Sequence, residues 1–312
     1  MVAFFLFAGS WQLEAGSWQL EAMRIAYQGE PGAYSEAAAL RFSPHAETIP
    51  CESFDQVFAD VQSGKATHGI LPIENSIGGS IHRNYDLLLE HELPVVAEVL
   101  LQVSHNLLAF PGTTMADVKK VYSHPQGLAQ CEGFLSSLKG VEIVATYDTA
   151  GSAKMIREQE LRDVAAIASA RAAEVFNLSI LESSIQDFKE NITRFILISK
   201  ASSDPEKADK TMIVFTLPNT PGALFKALSV FALREIDLTK LESRPVRGRA
   251  FEYLFYADIA VPRQDLQCTR ALVHLAEFAR SMRTLGSYAS WKEQAQDSGK
   301  AQGSGLKAQG KV

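Results

Sequence analysis

Cysteine is scarce. Cys51, Cys131 and Cys268 stand far apart, are odd in number and form no paired-ligand motif. That excludes a disulfide framework and a thiolate metal site, and reads as reduced thiols in a reducing compartment. The seven histidines show no two at the spacing of one helical face, so no metal and no cofactor is expected. Long apolar runs are also missing. Residues 1–8 (MVAFFLFA) are too short to span a bilayer and lack the basic start of a signal peptide. No membrane partner is expected, and the compartment expected is the cytoplasm, or a plastid stroma if the source is a plant or alga. Positive charge is in deficit, with 30 Lys and Arg against 36 Asp and Glu and a net charge of −6. A phosphate backbone needs a basic face, so nucleic acid is not a partner. An acidic average still permits a local site for an anion.

The two ends are unlike the middle. The heptad GSWQLEA occurs at 9–15 and again at 16–22, and KAQG at 300–303 and 307–310. Residues 1–22 are therefore expected to lie outside the fold, and 292–312 to be a disordered polar tail.

Between them the chain has the makings of two domains: it is 312 residues long and 46% hydrophobic. From 23 to 200 short strands alternate with amphipathic helices. Ser53 and Gln56 open one helix in a capping-box pattern. Its residues Phe54, Val57, Phe58 and Val61 make one apolar stripe. The run 95–110 reads as one long strand, followed by a helix at 125–138. Alternating units imply parallel sheets. The long run and the strand at 192–199 suggest crossings between a lobe of 23–98 plus 191–200 and a lobe of 99–190, with a cleft between. The polar stretch 201–210 reads as a linker. Residues 211–291 then give βαββαβ, the ferredoxin-like α+β order.

Small and polar residues gather where strands pass into helices: Gln28 to Gly32, Glu74-Asn75-Ser76, Gly78-Gly79-Ser80, Ser123-His124-Pro125-Gln126, Asp148 to Ser152, and Ser169. Ligands of open α/β sheets bind at such carboxyl ends of strands, where helix amino ends favour anions. Each such residue can also be a cap for backbone donors. Arg194 sits in the apolar strand 192–198 and needs a carboxylate partner, from the protein or from a ligand. Thr193 beside it offers a hydroxyl.

The blocks IAYQGEPGAYSE, PIENSIGGSIHRNYDLLL, SHPQGLAQC, YDTAGSA, AAIASARAAE and NITRF, in this order, resemble the catalytic domain of prephenate and arogenate dehydratases over about 24–200. The resemblance implies an α/β bilobed fold of the periplasmic-binding-protein type II kind. It implies dehydration of prephenate with loss of CO2, to phenylpyruvate, with arogenate as the alternative substrate. It places the Thr-Arg-Phe motif on Thr193, Arg194 and Phe195. Thr193 is assigned to the departing hydroxyl, and Arg194 to a carboxylate or to shaping the pocket. Glu74 would pair with Arg194 or help proton transfer. Asn75, Ser76, Gly79, Ser80, Ser123, Gln126, Thr149, Ser152 and Ser169 are the candidate substrate binders, and His124 is either an acid or a cap. The segments NTPGALFKAL (219–228) and LESRP (241–245) resemble the ligand motifs of the family's ACT regulatory domain. That implies L-phenylalanine as effector, held by Asn219, Pro221, Gly222, Ala223, Leu224, Glu242, Ser243, Arg244 and Pro245, in a homodimer or homotetramer. A solute-binding protein and an amino-acid sensor are the rival classes. The first predicts a secretory signal, and the second has no need of the Thr193-Arg194 pair.

Overall fold

A computed structural model of the chain describes residues 23–202, 206–246, 248 and 252–292. The expectations for 1–22 and for 293–312 fall outside those residues. The first elements are β1 (Arg24–Gln28), α1 (Tyr34–Phe42), β2 (Glu47–Cys51), α2 (Phe54–Ser63), β3 (His68–Asn75), β4 (Gly79–Ser80), α3 (His82–Glu90) and β5 (Val95–Gln102). A second group follows: β6 (Asn106–Ala109), β7 (Lys120–Ser123), α4 (Pro125–Ala129), α5 (Glu132–Ser137), β8 (Glu142–Ala145), α6 (Thr149–Glu158), β9 (Val164–Ala168), α7 (Ala170–Val175) and β10 (Ser179–Glu182). The strand β11 (Ile192–Ser199) returns to the first group. The last part is β12 (Lys210–Thr216), α8 (Ala223–Ala232), β13 (Leu238–Pro245), β14 (Tyr253–Ile259), α9 (Leu266–Phe278) and β15 (Ser281–Tyr288).

The strands form two sheets. One runs β10-β6-β9-β7-β8 and the other β13-β14-β12-β15-β5-β11-β3-β1-β2. The second sheet is thus continuous through both the first lobe and the C-terminal βαββαβ unit. Its junction is a single register pair, Gly286 beside Val95. A Cβ at Gly286 would overlap the Val95 carbonyl oxygen, so only glycine allows the two strands to meet there. The sheet face of the C-terminal unit turned away from α8 and α9 packs on α3. Tyr256 lies against Tyr85 with ring centroids 4.5 Å apart, and its hydroxyl donates to the Tyr85 carbonyl at 2.9 Å.

Local chemistry sets the element ends. The Ser53 hydroxyl accepts from Gln56 N at 3.2 Å and opens α2, and Val57, Phe58 and Val61 are buried against the core. Strand β9 (VAAIA) is buried along its whole length, as a central strand covered on both faces must be.

Several expectations change. The run 95–110 is two strands, broken where Val103 N donates to Asn191 O at 2.7 Å and His105 N to Gln186 Oε1 at 2.9 Å. The helix over 125–138 is also broken, at Gln130 and Cys131. There the Gln130 carbonyl accepts Asp187 N at 2.8 Å. The sheets are mixed: β1 pairs in parallel with β2 and β3, but β11 runs antiparallel to both β3 and β5. A strand that crosses back from the other lobe returns in the opposite direction. Strands β2 and β10 lack a clear sequence signal. The linker ends one residue early, because Lys210 opens β12 and pairs with Glu98 at 2.7 Å. No helix among the described residues is long and apolar enough to cross a membrane.

Candidate active site

Strand β11 alternates its side chains between two faces, and this divides the Thr-Arg-Phe motif. Thr193 and Phe195 face a cavity of about 290 Å³ between the lobes. Arg194 faces the other way, into the seam with the C-terminal unit. Its guanidinium lies 2.5 Å from Asp258, 3.0 Å from Glu98 and 3.7 Å from Glu74. Burial alone would lower its proton affinity, but Asp258, Tyr288 and Glu98 more than offset that. Burial lifts the Asp258 carboxyl above the ordinary range, with Arg194 opposing. The expected carboxylate partner of Arg194 is therefore protein, not ligand. Glu74 joins the same seam, 2.8 Å from Lys240 of β13.

The cavity wall is drawn from both lobes. Of the expected binders it holds Asn75, Gln126 and Thr149, together with His124. The others serve the backbone or the seam. The Ser123 hydroxyl donates to Ile167 O at 2.8 Å and Ser152 to Asp148 O at 2.8 Å. Ser169 donates to Gly32 O at 2.6 Å and accepts Ala172 N at 2.9 Å. Ser76 exchanges bonds with Glu190 O and Ile192 N. Ser80 bonds Glu242 and Lys240, and Gly79 lies beside it in β4 outside the wall. In Ser76, Ser123, Ser152 and Ser169 a backbone partner takes the hydroxyl, and in Ser80 the seam takes it. His124 both lines the cavity and caps α4, its Nδ1 accepting Gln126 N at 3.2 Å.

Sequence reading missed Tyr34, His105, Gln130, Tyr147 and the apolar wall of Pro72, Ile81 and Val103. None of them belongs to a turn motif, and the lobes bring them together only on folding. Gln130 is placed there by the helix break. Tyr147 is largely exposed at the mouth of the cavity, and partial desolvation and then Glu30 push its phenol up, to about 12.

The described wall contains no Lys or Arg and one acidic residue, Asp148. Positive potential must come from backbone donors. Ala33, Tyr34 and Ser35 line the cavity, and Ala33, the residue before α1, gives that helix no side-chain cap. An uncapped amino end offers free N–H groups to an anion. Asp148 caps α6 through Gly151 N at 2.9 Å. At Thr193 the hydroxyl accepts from Asn75 Nδ2 at 2.9 Å. Its oxygen is thereby held, and its own proton is left to be donated.

The residues expected to hold the effector divide between two faces, as those of the Thr-Arg-Phe motif do. Glu242 and Arg244 turn to the first lobe, where Glu242 lies 3.2 Å from His82 and Arg244 lies 2.6 Å from Asp86. Ser243 and Pro245 turn the other way and are exposed. Gly222 opens α8 with φ +76°, a conformation that favours glycine, and Ala223 and Leu224 follow in the first turn. Asn219 and Pro221 precede it in a turn where Thr220 N donates to Pro218 O at 2.9 Å.

Comparison with known proteins fits this geometry. The family model described as "Prephenate dehydratase" matches residues 25–203. Arogenate dehydratase 2 of Petunia hybrida is 48% identical over 284 residues, which cover 86% of this chain and 72% of that one. Arogenate dehydratase/prephenate dehydratase 2, chloroplastic, of Arabidopsis thaliana is 50% identical over 277 residues, covering 85% and 72%. A crystal structure of prephenate dehydratase from Arthrobacter aurescens in complex with L-Phe has TM-score 0.78 at 31% identity, covering 86% of this chain and 90% of that one. A structure described as a novel type of quorum-quenching acylase has TM-score 0.80 at 36% identity, covering 86% and 98%.

Proposed function

The chain belongs to the prephenate dehydratase family, and from that premise we propose how its cavity dehydrates prephenate to phenylpyruvate on the way to L-phenylalanine. Prephenate carries a ring carboxylate, a pyruvyl carboxylate and a ring hydroxyl. The carboxylate leaves as CO2, its bonding electron pair enters the ring, and hydroxide departs from the far ring carbon. The ring becomes aromatic, and the hydroxide leaves as water once it has a proton. No cofactor takes part. The protein has two tasks, orienting the dianion and assisting the hydroxide.

The observation that carries this reading is Thr193. It stands in the cavity wall with its oxygen held by Asn75, so its O–H is the donor for the leaving oxygen. The ring packs on Phe195, Pro72, Ile81 and Val103, and its carboxylates take the free N–H groups at the amino end of α1 and the amide of Gln126. Arg194 shapes the site from behind.

Arogenate is the second reading. It has an ammonium where prephenate has a keto group, and Asp148 in the wall would attract it. The relatives named arogenate dehydratase support this alternative. Amide hydrolysis, as in the neighbour described as an acylase, would need a nucleophile paired with a base. Among the described wall residues, the hydroxyl that bonds a histidine is that of Tyr34, whose burial holds it protonated.

The C-terminal unit is a regulatory domain of the ACT type that binds L-phenylalanine. Support comes from its βαββαβ order, Gly222 at the start of α8, and the L-Phe in the Arthrobacter complex. Among the described residues strand β13 is a sheet edge, and Leu224, Phe225 and Leu233 in and after α8 are exposed. Pairing of two copies there gives the homodimer or homotetramer.

The test is direct. The purified chain is incubated with prephenate, base is added, and phenylpyruvate is read by absorbance. Absence of product from both prephenate and arogenate would overturn the reading.

A further inference from the structure

His105 is nearly fully buried, carries no sequence motif and has no role in the reading above. The hydrogen bonds around it run in one direction from a fixed point. That point is the backbone of the loop after β3. Ile77 N and Gly78 N both donate to Asn75 Oδ1, at 3.0 and 2.7 Å. A backbone N–H can only donate, so the orientation of the Asn75 amide is settled. Its Nδ2 therefore donates to Thr193 Oγ1 at 2.9 Å and to Asn191 Oδ1 at 2.7 Å.

The direction propagates. With Asn191 Oδ1 accepting, its Nδ2 is the group that donates to Gln130 Oε1 at 3.0 Å. Gln130 Oε1 is then an acceptor, and it lies 2.8 Å from His105 Nε2. That contact is a hydrogen bond only if Nε2 carries a proton. On the other side of the ring, Nδ1 lies 2.8 Å from the Tyr34 hydroxyl, which lies equally 2.8 Å from Ser104 O. In a neutral ring Nδ1 accepts, and the Tyr34 proton is shared between the two.

We propose that His105 is a positioning residue of the dehydration site, whose Nε2–H anchors the far end of a one-way chain through Gln130, Asn191 and Asn75 that presents the Thr193 proton to the substrate. The proposal rests on the reading of Thr193 as donor to the leaving hydroxyl. Burial, opposed by the Gln130 bond, lowers the proton affinity of the imidazole, which keeps it in the single-proton form. Tyr34, lifted well above the usual phenol range by burial, stays protonated beside it. Without the Nε2 donor, Gln130 can turn its amide over. Its NH2 would then face the Asn191 NH2, and Asn191 would turn in response. The Asn75 amide, still fixed by Ile77 N and Gly78 N, would meet the Asn191 NH2 in place of its acceptor, and that donor–donor repulsion would push Nδ2 off Thr193. Gln130 also lines the cavity, so the same anchor keeps its Nε2 amide free to face the substrate.

The experiment compares variants of the full chain on prephenate. His105→Leu should lower kcat by about tenfold or more while KM changes by less than about threefold. His105→Gln, which restores an N–H donor, should recover most of the loss. 15N-histidine NMR of the wild type should show His105 protonated at Nε2 and not at Nδ1. Near-normal kcat in His105→Leu would overturn the proposal. So would an unprotonated Nε2, or a folded His105→Gln as impaired as the leucine variant. If His105→Leu does not fold, the glutamine variant and the NMR measurement decide. An inactive Thr193→Ala beside a fully active His105→Leu would sink the chain alone. An active Thr193→Ala would remove the donor reading and the chain with it.

Discussion

Arg194 of β11 and Asp258 of β14 meet at 2.5 Å across the seam that joins the catalytic lobe to the C-terminal unit. Their neighbours extend the contact. Lys240 reaches Glu74 at 2.8 Å, and Lys210 reaches Glu98 at 2.7 Å. Arg194 and Glu74 adjoin Thr193 and Asn75 in sequence. Strand β13, through Lys240, thus reaches a residue that adjoins Asn75 in the cavity wall.

The pair should matter for stability. Asp258→Ala leaves a buried guanidinium with the more distant Glu98 and Glu74. Breaking a buried pair from one side costs about 3–5 kcal/mol. The lower end is expected, because burial disfavours the Asp258 carboxylate. Urea unfolding measures it, and a change below about 1 kcal/mol would show the pair to be energetically idle.

Thr193→Ala should lower kcat by roughly 10²-fold or more, and Thr193→Ser should keep much of the activity, since only the hydroxyl is used. Steady-state rates on prephenate settle the point. An alanine variant with normal kcat would remove Thr193 from the mechanism.

Phenylalanine should bind and inhibit, with a coupling of about 1–3 kcal/mol. Gly222→Val places a branched residue at φ +76°, which is strained in the left-handed region. That variant, and Ser243→Ala on the face turned away from the first lobe, should lose inhibition and keep the uninhibited rate. Calorimetry that finds no phenylalanine bound to the wild type would refute this.

Substrate choice should depend on Asp148. Activity is expected on both prephenate and arogenate, with prephenate favoured. Asp148→Asn keeps an oxygen to cap α6 but removes the charge, so it should lower kcat/KM for arogenate more than for prephenate. A wild-type ratio above roughly 10²-fold in favour of arogenate, or about 2.7 kcal/mol, would reverse the stated preference.

Acid should weaken the fold through histidine. Burial lowers the proton affinity of both His68 and His105 in the folded chain. The unfolded chain takes up protons at these rings near pH 6.5, and the folded chain resists. Stability present above that pH is therefore lost as pH falls. Melting temperatures from pH 7.5 to 5.5 should drop, and His68→Gln should flatten the curve. A dependence unchanged in that variant would assign the effect elsewhere.

By itself the sequence determined most of the elements and the family, but not the breaks at Val103 to His105 and at Gln130, nor strands β2 and β10. The Ser53 cap, the apolar stripe of α2, the continuous apolar run of β9 and the βαββαβ order are local patterns, and local patterns survive reading in one dimension. The Thr193-Arg194-Phe195 motif could also be seen, but not which way each side chain faced. Tertiary structure decided that. Because β11 pairs with both β3 and β5, its alternate residues fall on opposite sides of one sheet. Thr193 and Phe195 turn to the cavity, and Arg194 turns to carboxylates from β5 and β14. The same holds for Ser123, Ser152 and Ser169. A hydroxyl before a helix looks the same in sequence whether it binds a ligand or closes a turn, and only the position of the nearest backbone partner separates the two. Tyr34, His105, Gln130 and Asn191 come from distant parts of the chain. Their contacts are set by how the two lobes close on each other, so no spacing along the chain could announce them.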